Sequence, residues 1–306
     1  MSESLEFTGE RFTPECVREI WYEHWHRYAW ARGFARGRRV LDAACGEGYG
    51  AALLSDVATS VLGVDISDAA VAHARARYAA RSNLRYEQAD ATALHALPDA
   101  SFDLIVSFET LEHVEAQEAL VAGFARLLAP GGLLLLSSPD KQTYSDARGY
   151  RNEHHVRELY RGELEELLGR HFGAVRLFAH KLLFQSAIWP LDAAPAALET
   201  LTGHAGTTRV EPTLAYAPLY FLALCARAEG ELPAEASVRA SLFGDAEESV
   251  YRHYDHEVRK NMGAGARIQE LERELAAARA AAIAAPTATA PGPEGFWRRL
   301  RRRFGG

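Results

Sequence analysis

VLDAACGEGYG, residues 40–50, joins an apolar run to three glycines at alternate positions and then to the helix-prone AALL. The pattern predicts a buried strand, a tight turn and a helix. Gly46, Gly48 and Gly50 suit a turn in which a side chain would hold the backbone away from a ligand, or in which φ must be positive. A dinucleotide fingerprint spaces its glycines G-x-G-x-x-G, whereas the third glycine here arrives one residue early, which argues against NAD. SVLGVDIS (60–67) predicts a second strand ending at Asp65, whose carboxylate can accept hydrogen bonds from both hydroxyls of a ribose. Taken alone, these segments read as a nucleoside-binding unit, with a purely structural glycine turn as the alternative.

The elements that follow separate the cofactor classes. LRYEQAD (84–90) predicts a third strand ending in an acid, and FDLIVSFE (102–109) a fourth, followed by TLEHV. A helix carrying Leu120, Phe124, Leu127 and Leu128 ends at Pro130-Gly131-Gly132, and the chain restarts as a fifth strand. In this order and spacing, the segments LDAACGEGYG, GVDIS, Asp90-Ala91, FDLIVSFETLEHV and the PGG turn resemble the class I S-adenosylmethionine-dependent methyltransferases. The resemblance runs from about Arg38 to Pro139. It implies an α/β fold, a Rossmann-like doubly wound sheet of seven mostly parallel strands with helices on both faces. The helix predicted at 163–171, the strand AVRLFAHKLLF (174–184) and its partner LYFLALCAR (219–227) would complete that sheet. Pro190, Pro195 and Pro212 break up the insertion between the last two strands.

The resemblance also implies a cofactor, S-adenosyl-L-methionine, and roles for particular residues. Asp42 and Ala44 would lie near the methionine moiety, Gly46 and Gly48 would let the backbone approach, and Asp65 with Ile66 would meet the ribose. Asp90 and the backbone of Ala91 would contact the adenine amine, and Phe108 and Glu109 would line the floor beside the methyl. Structural readings stand beside these: Asp42 as a helix cap, Asp90 as the start of a turn, Phe108 as core. A hydroxyl acceptor would need a base, for which His155, His154, His113 and Glu109 are the catalytic candidates; His113 also suits a supporting role in the loop after the fourth strand. The polar loop KQTYSDARGYRNEHHVRELY (141–160) lies where substrates bind in doubly wound folds. His154 and His155, being adjacent, point in different directions, so no metal is expected.

Four segments are expected: an N-terminal aromatic helical lid over 1–36, the cofactor domain over 37–230, a helical or coiled-coil extension over 231–284, and a linker with a basic amphipathic tail over 285–306. GERFTPE (9–15) with the following aromatic helix is similar to bacterial methyltransferases of glycan and lipopolysaccharide biosynthesis, and Arg11 would pair with the cofactor carboxylate. In the extension, Ile268, Leu271, Leu275, Ala278 and Ala282 fall on alternating a and d positions, open to a homo-oligomer or to a single helix. The tail FWRRLRRRFGG (296–306) reads as a peripheral anchor for an anionic membrane, a solubility tag or a nucleic-acid contact.

A net charge of −7 argues against a general nucleic-acid surface. The three cysteines are far apart and suit a reducing compartment, and MSESLEFTGE lacks a leader's basic and apolar regions, so a cytoplasmic protein is expected, with contact at the inner membrane face left to the tail. The expected function is methyl transfer to an oxygen of a small-molecule or glycan intermediate. The alternative is a noncatalytic cofactor-binding scaffold that recruits a membrane-associated glycan assembly complex through its coiled coil and basic tail.

Overall fold

The computed structural model describes residues 19–188, 200–204, 207–211, 213–234 and 240–284. The chain divides into two compact units, residues 1–246 and 247–306. The first unit is built on a seven-stranded sheet of order β3-β2-β1-β4-β5-β9-β6. Its strands are β1 (Arg39–Ala43), β2 (Ser60–Asp65), β3 (Leu84–Gln88), β4 (Phe102–Ser107), β5 (Leu128–Pro139), β6 (Ala174–His180) and β9 (Tyr220–Ala226). β1 to β5 run parallel, and β9 is antiparallel to both β5 and β6. The helices are α1 (Glu19–Ala35), α2 (Tyr49–Ser55), α3 (Asp68–Arg77), α4 (Gln117–Leu127), α5 (Lys141–Tyr144) and α6 (Arg161–Gly169).

The central strands are apolar at consecutive positions because both faces of the sheet are covered. Val40, Leu104, Val106, Leu133 and Leu135 join one core with Tyr28, Ala31, Leu54 and Val71, on the side of α1, α2 and α3. Their neighbours Leu41, Ile105, Leu134 and Leu136 join a second core with Leu120, Phe124, Leu164 and Leu168, on the side of α4 and α6. The chain leaves β1 towards β3 and returns on the other side as β4, so a crevice opens at the carboxyl ends of β1 and β4.

α1 packs into this layer: Tyr28, Ala31 and Ala35 are fully covered, and Trp21, Trp25, Trp30 and Phe34 pack against the same core. The insertion contains a hairpin, β7 (Thr200–His204) paired with β8 (Thr207–Glu211), where the sequence suggested only a proline-broken stretch. The β-branched residues of TLTGH and TTRVE decide it, since they suit a pleated surface. The loop around Asn152 to Tyr160 forms no helix apart from the cap at Tyr160. The second unit contains one continuous helix, α7 (Ser249–Ala284). Among the described residues no helix is long and apolar enough to cross a membrane. The segment holding Arg11, the linker and the basic tail lie outside the described residues.

Candidate functional site

The glycine turn opens the site. Ala44, Gly46 and Gly48 all have positive φ, at 61°, 54° and 89°. A Cβ on Gly46 would meet nothing within 4 Å, whereas one on Gly48 would strike the ring of Tyr86 at 2.6 Å. Tyr86 supports the turn from below, its hydroxyl donating to the Gly48 carbonyl at 2.6 Å. Gly46 therefore faces open space while Gly48 and Gly50 make room for the protein itself; a Cβ on Gly50 would enter the Tyr28 ring at 2.1 Å. Glu47, fully buried within the turn, is tied to α3 by Arg77 at 2.9 Å and accepts from Tyr78 at 3.2 Å.

Asp65, at the end of β2, accepts from the Gly46 amide at 2.8 Å through one oxygen and from the Ser67 amide at 2.9 Å through the other. A carboxylate has about four acceptor positions, so two remain for a diol. Ile66 beside it is exposed. Asp42 is completely buried, with the Tyr28 hydroxyl donating to it at 3.0 Å. Burial pushes its carboxyl up to about 7, opposed by the Tyr28 bond and reinforced by the Asp65 charge. Asp90 caps the short turn that begins at Ala91, accepting from the Thr92 amide and hydroxyl at 2.8 and 2.7 Å. Phe108 is buried edge-on against Tyr28, at 5.0 Å between ring centroids, and packs as core.

Glu109 stands at the carboxyl end of β4 with φ of 51°, a conformation costly for a side chain. Ser137 on β5 holds it there: the Glu109 amide donates to Ser137 Oγ at 2.9 Å, and that hydroxyl donates to the Glu109 carboxylate at 2.6 Å. Arg27 of α1 lies 3.5 Å from the same carboxylate and 4.4 Å over the ring of Tyr220. Arg27 is 1% exposed, and no side-chain nitrogen of it makes a hydrogen bond. Neighbouring Glu23 is raised above the usual carboxylate range by burial, with Arg27 opposing.

Of the three predicted histidines, His113 and His155 come together and His154 turns outward. His154 is a surface side chain beside Glu153; the backbone carries its useful contacts, its amide donating to Asn152 and its carbonyl pairing with His113 Nδ1 at 3.2 Å. His155 points inward, Nδ1 meeting Glu158 at 2.6 Å and Nε2 meeting the Asn152 amide at 3.0 Å. Its ring stacks on Tyr144 and meets His113 edge-on at 4.9 Å. Backbone bonds from Val156 and Arg157 to the Glu112 carbonyl hold this loop against the turn after β4.

One oxygen of Glu112 and one nitrogen each of His113 and His155 consequently lie within 4.8 Å of one another, a donor set for a divalent cation. Glu112 is fully buried and neither carboxylate oxygen accepts a hydrogen bond. Burial, with the Glu109 charge added, holds it well above the usual carboxylate range, so it stands protonated unless a cation compensates it. The Glu158 and His154 contacts to Nδ1 of the two rings are of the kind that orients metal-binding imidazoles. The adjacency of His154 and His155 in the sequence does not show this grouping, which needs the loop folded back onto Glu112. Arg27 is not singled out by the sequence either, although the spacing of His24, Arg27, Tyr28, Ala31 and Ala35 places that charge on the buried side of α1.

Residues 41–136 match the family model described as a methyltransferase domain. Over this stretch the chain is similar to methyltransferase domains. A probable S-adenosylmethionine-dependent methyltransferase of Mycolicibacterium smegmatis is 44% identical over 168 residues, covering 54% of this chain and 64% of the relative. One of Mycobacterium tuberculosis is 41% identical over 167 residues, covering 54% and 60%. A ubiquinone biosynthesis O-methyltransferase of Thiobacillus denitrificans is 33% identical over 120 residues, covering 39% and 52%. The chain thus spans less than two thirds of these relatives. The matched residues include the glycine turn, Asp65 and Asp90. None of these relatives' names mentions a glycan.

A separate cavity of about 180 Å³ lies between α1, the end of β6 and residues 214–218 and 241–243. Tyr22, Glu23, His26, His180, Tyr216 and Phe243 are among its lining residues. Burial drives His180 down to about 2, with the Arg27 charge adding to the effect, so its imidazole is neutral.

Proposed function

We propose that this chain transfers a methyl group from S-adenosylmethionine to a hydroxyl oxygen of a small-molecule or glycan acceptor. The observation that carries the reading is Asp65: its carboxylate pins the Gly46 amide and the Ser67 amide while keeping acceptor capacity for a ribose diol at the mouth of the β1–β4 crevice. The open space over Gly46 fits a ligand lying against the turn. When bound, the cofactor supplies a sulfonium methyl that a nucleophile displaces in line, with neutral S-adenosylhomocysteine leaving.

The chain's own residues then have to position the acceptor and deal with its proton, because a hydroxyl is a poor nucleophile at neutral pH. Glu109, held in a strained conformation by Ser137 and charged opposite Arg27, presents a carboxylate at the end of β4. His155 is turned inward with Nδ1 on Glu158 and Nε2 on the Asn152 amide, so its part is to hold the loop, and Nε2 would have to exchange the Asn152 contact to serve with Glu112 and His113 as a ligand. A divalent cation held by those three would lower the pKa of a bound hydroxyl. The printed name of the ubiquinone-pathway relative supports oxygen as the attacked atom. The cavity bordered by Glu23 offers room for the body of the acceptor.

Calorimetric titration tests the cofactor: S-adenosylhomocysteine should bind the full chain with one site, and Asp65→Ala should weaken it at least tenfold. No binding to either protein overturns the proposal. Transfer of label from methyl-labelled cofactor to a panel of hydroxyl acceptors tests catalysis, and binding without transfer favours the noncatalytic scaffold. Chelation by EDTA should abolish transfer and leave S-adenosylhomocysteine binding intact; undiminished turnover would remove the cation from the mechanism.

A further inference from the structure

α7 is a continuous helix of 36 residues whose apolar side chains are left open: Ile268, Leu271 and Leu275 are each about half exposed. They follow a 3-4 spacing that continues at Ala278 and Ala282 and, towards the amino end, at Ala264 and Asn261. This is a seam of three heptads with Asn261, Ile268, Leu275 and Ala282 at a, and Ala264, Leu271 and Ala278 at d. A helix of this kind gains most of its stability by burying such a seam.

The charges beside the seam state what fits it. Arg267 and Glu274 occupy g, and Glu272 and Arg279 occupy e. In a parallel pair, each g residue faces the e residue five positions later on the other helix. Arg267 then faces Glu272 of the second copy, and Glu274 faces Arg279 of it, each pairing occurring twice across the dyad. Asn261 at a would face its own copy, the arrangement by which a buried polar residue sets register and parallel orientation. β-Branched Ile268 at a with Leu271 at d suits two strands.

We infer that residues 261–282 of α7 form a parallel two-stranded coiled coil with a second copy of this chain. The inference is independent of the proposed methyl transfer and would stand if no methyl acceptor were found. Within one helix Arg267 pairs with Glu270 at 2.5 Å, an exposed contact that a facing glutamate can share at little cost.

Sedimentation equilibrium on the full chain tests this. The wild type should be a dimer at tens of micromolar, and the double variant Ile268→Asp, Leu275→Asp a monomer with its S-adenosylhomocysteine binding or thermal transition unchanged. Arg267→Glu places like charges opposite each other and should weaken the dimer about tenfold. Adding Glu272→Arg to Arg267→Glu should restore it, because the exchanged pair is again complementary in a parallel arrangement. In an antiparallel pair Arg267 would face Glu274 and Glu272 would face Arg279, so the same double variant would remain weak, which overturns the parallel seam. A wild-type monomer at these concentrations overturns the second copy as partner. A dimer indifferent to Ile268→Asp, Leu275→Asp overturns this surface. All four positions are on the exposed helix, so a loss of association is not a loss of the first unit's fold.

Discussion

Asp42 near the end of β1 and Ala44 in the turn that follows sit two residues apart, and each is held in a state its chemistry resists. Ala44 adopts φ of 61°, where its Cβ crowds the backbone. Ala44→Gly should therefore stabilise the ligand-free protein by about 1 kcal/mol in urea denaturation, the relief of strain outweighing the added freedom of the unfolded chain. Asp42 is buried with its carboxyl raised to about 7. A raised carboxyl favours the protonated form in the folded state, so its contribution to stability is complete below the unfolded value, about 4. That contribution is lost as pH climbs towards 7, up to roughly 4 kcal/mol for a shift of this size. Asp42→Asn keeps an acceptor for the Tyr28 hydroxyl and has no charge to desolvate. Denaturation midpoints measured from pH 5 to pH 8 should fall in the wild type and fall less in the variant. Parallel curves would show that Asp42 is not the group responsible. Glu23 and Glu112 are raised by burial in the same direction, and their share of the decline should persist in both proteins.

At the scale of elements, the turn, α1 and β3 interlock through aromatic rings placed where glycines leave room. Tyr86 of β3 fills the space beside both Gly48 and Gly63, and Tyr28 of α1 fills that beside Gly50. Gly50→Ala puts a methyl 2.1 Å from the Tyr28 ring and should cost about 1–3 kcal/mol of stability through overpacking. Tyr28→Leu should cost stability alone and yet cost less in the Gly50→Ala background, a coupling that a double-mutant cycle on denaturation free energies measures; strict additivity would mean the ring is not what the methyl meets. The glycine spacing, the apolar strands and the PGG turn are local patterns, and β1 to β5 were legible from them. The ring partners were not, because nothing in GEGYG names the tyrosines that the fold brings to it, Tyr28 from the helix before β1 and Tyr86 from 38 residues beyond Gly48. The hairpin of β7 and β8 is obscured for the opposite reason: its threonines are a local strand signal, but Pro190, Pro195 and Pro212 around it are signals against one. The places of Asp42, Gly46, Asp65 and Asp90, at strand ends and in the turn, follow from local patterns and were readable. The surroundings of Glu109 and Glu112 depend on Arg27 of α1, Ser137 of β5 and the return of the 152–158 loop to Glu112, and long-range juxtaposition of that kind has no periodicity.

For the whole molecule, the first unit places its costly features together at the carboxyl edge of the sheet. The αL conformations of Ala44 and Glu109, the buried carboxyl of Glu112 and the desolvated Asp42 and Arg27 all lie at or beside the ends of β1 and β4. The opposite faces of the sheet are saturated with apolar side chains from two helical layers, and these offset the strain. A ligand that fills the crevice should then raise stability strongly, because it binds the folded state alone. At 100 times its dissociation constant, S-adenosylhomocysteine should add about 2.7 kcal/mol, which for a unit of this size corresponds to a rise in Tm of about 5–10 °C. Differential scanning fluorimetry with rising ligand should show this shift in the wild type and lose most of it in Asp65→Ala. A divalent cation should raise Tm separately, through Glu112, and Glu112→Gln should remove the cation's effect while leaving the ligand's intact. If the two shifts vanish together in Glu112→Gln, the cation cluster and the cofactor crevice are one coupled site. If the cation shift survives the substitution, Glu112 is the protonated acid that burial alone would make it.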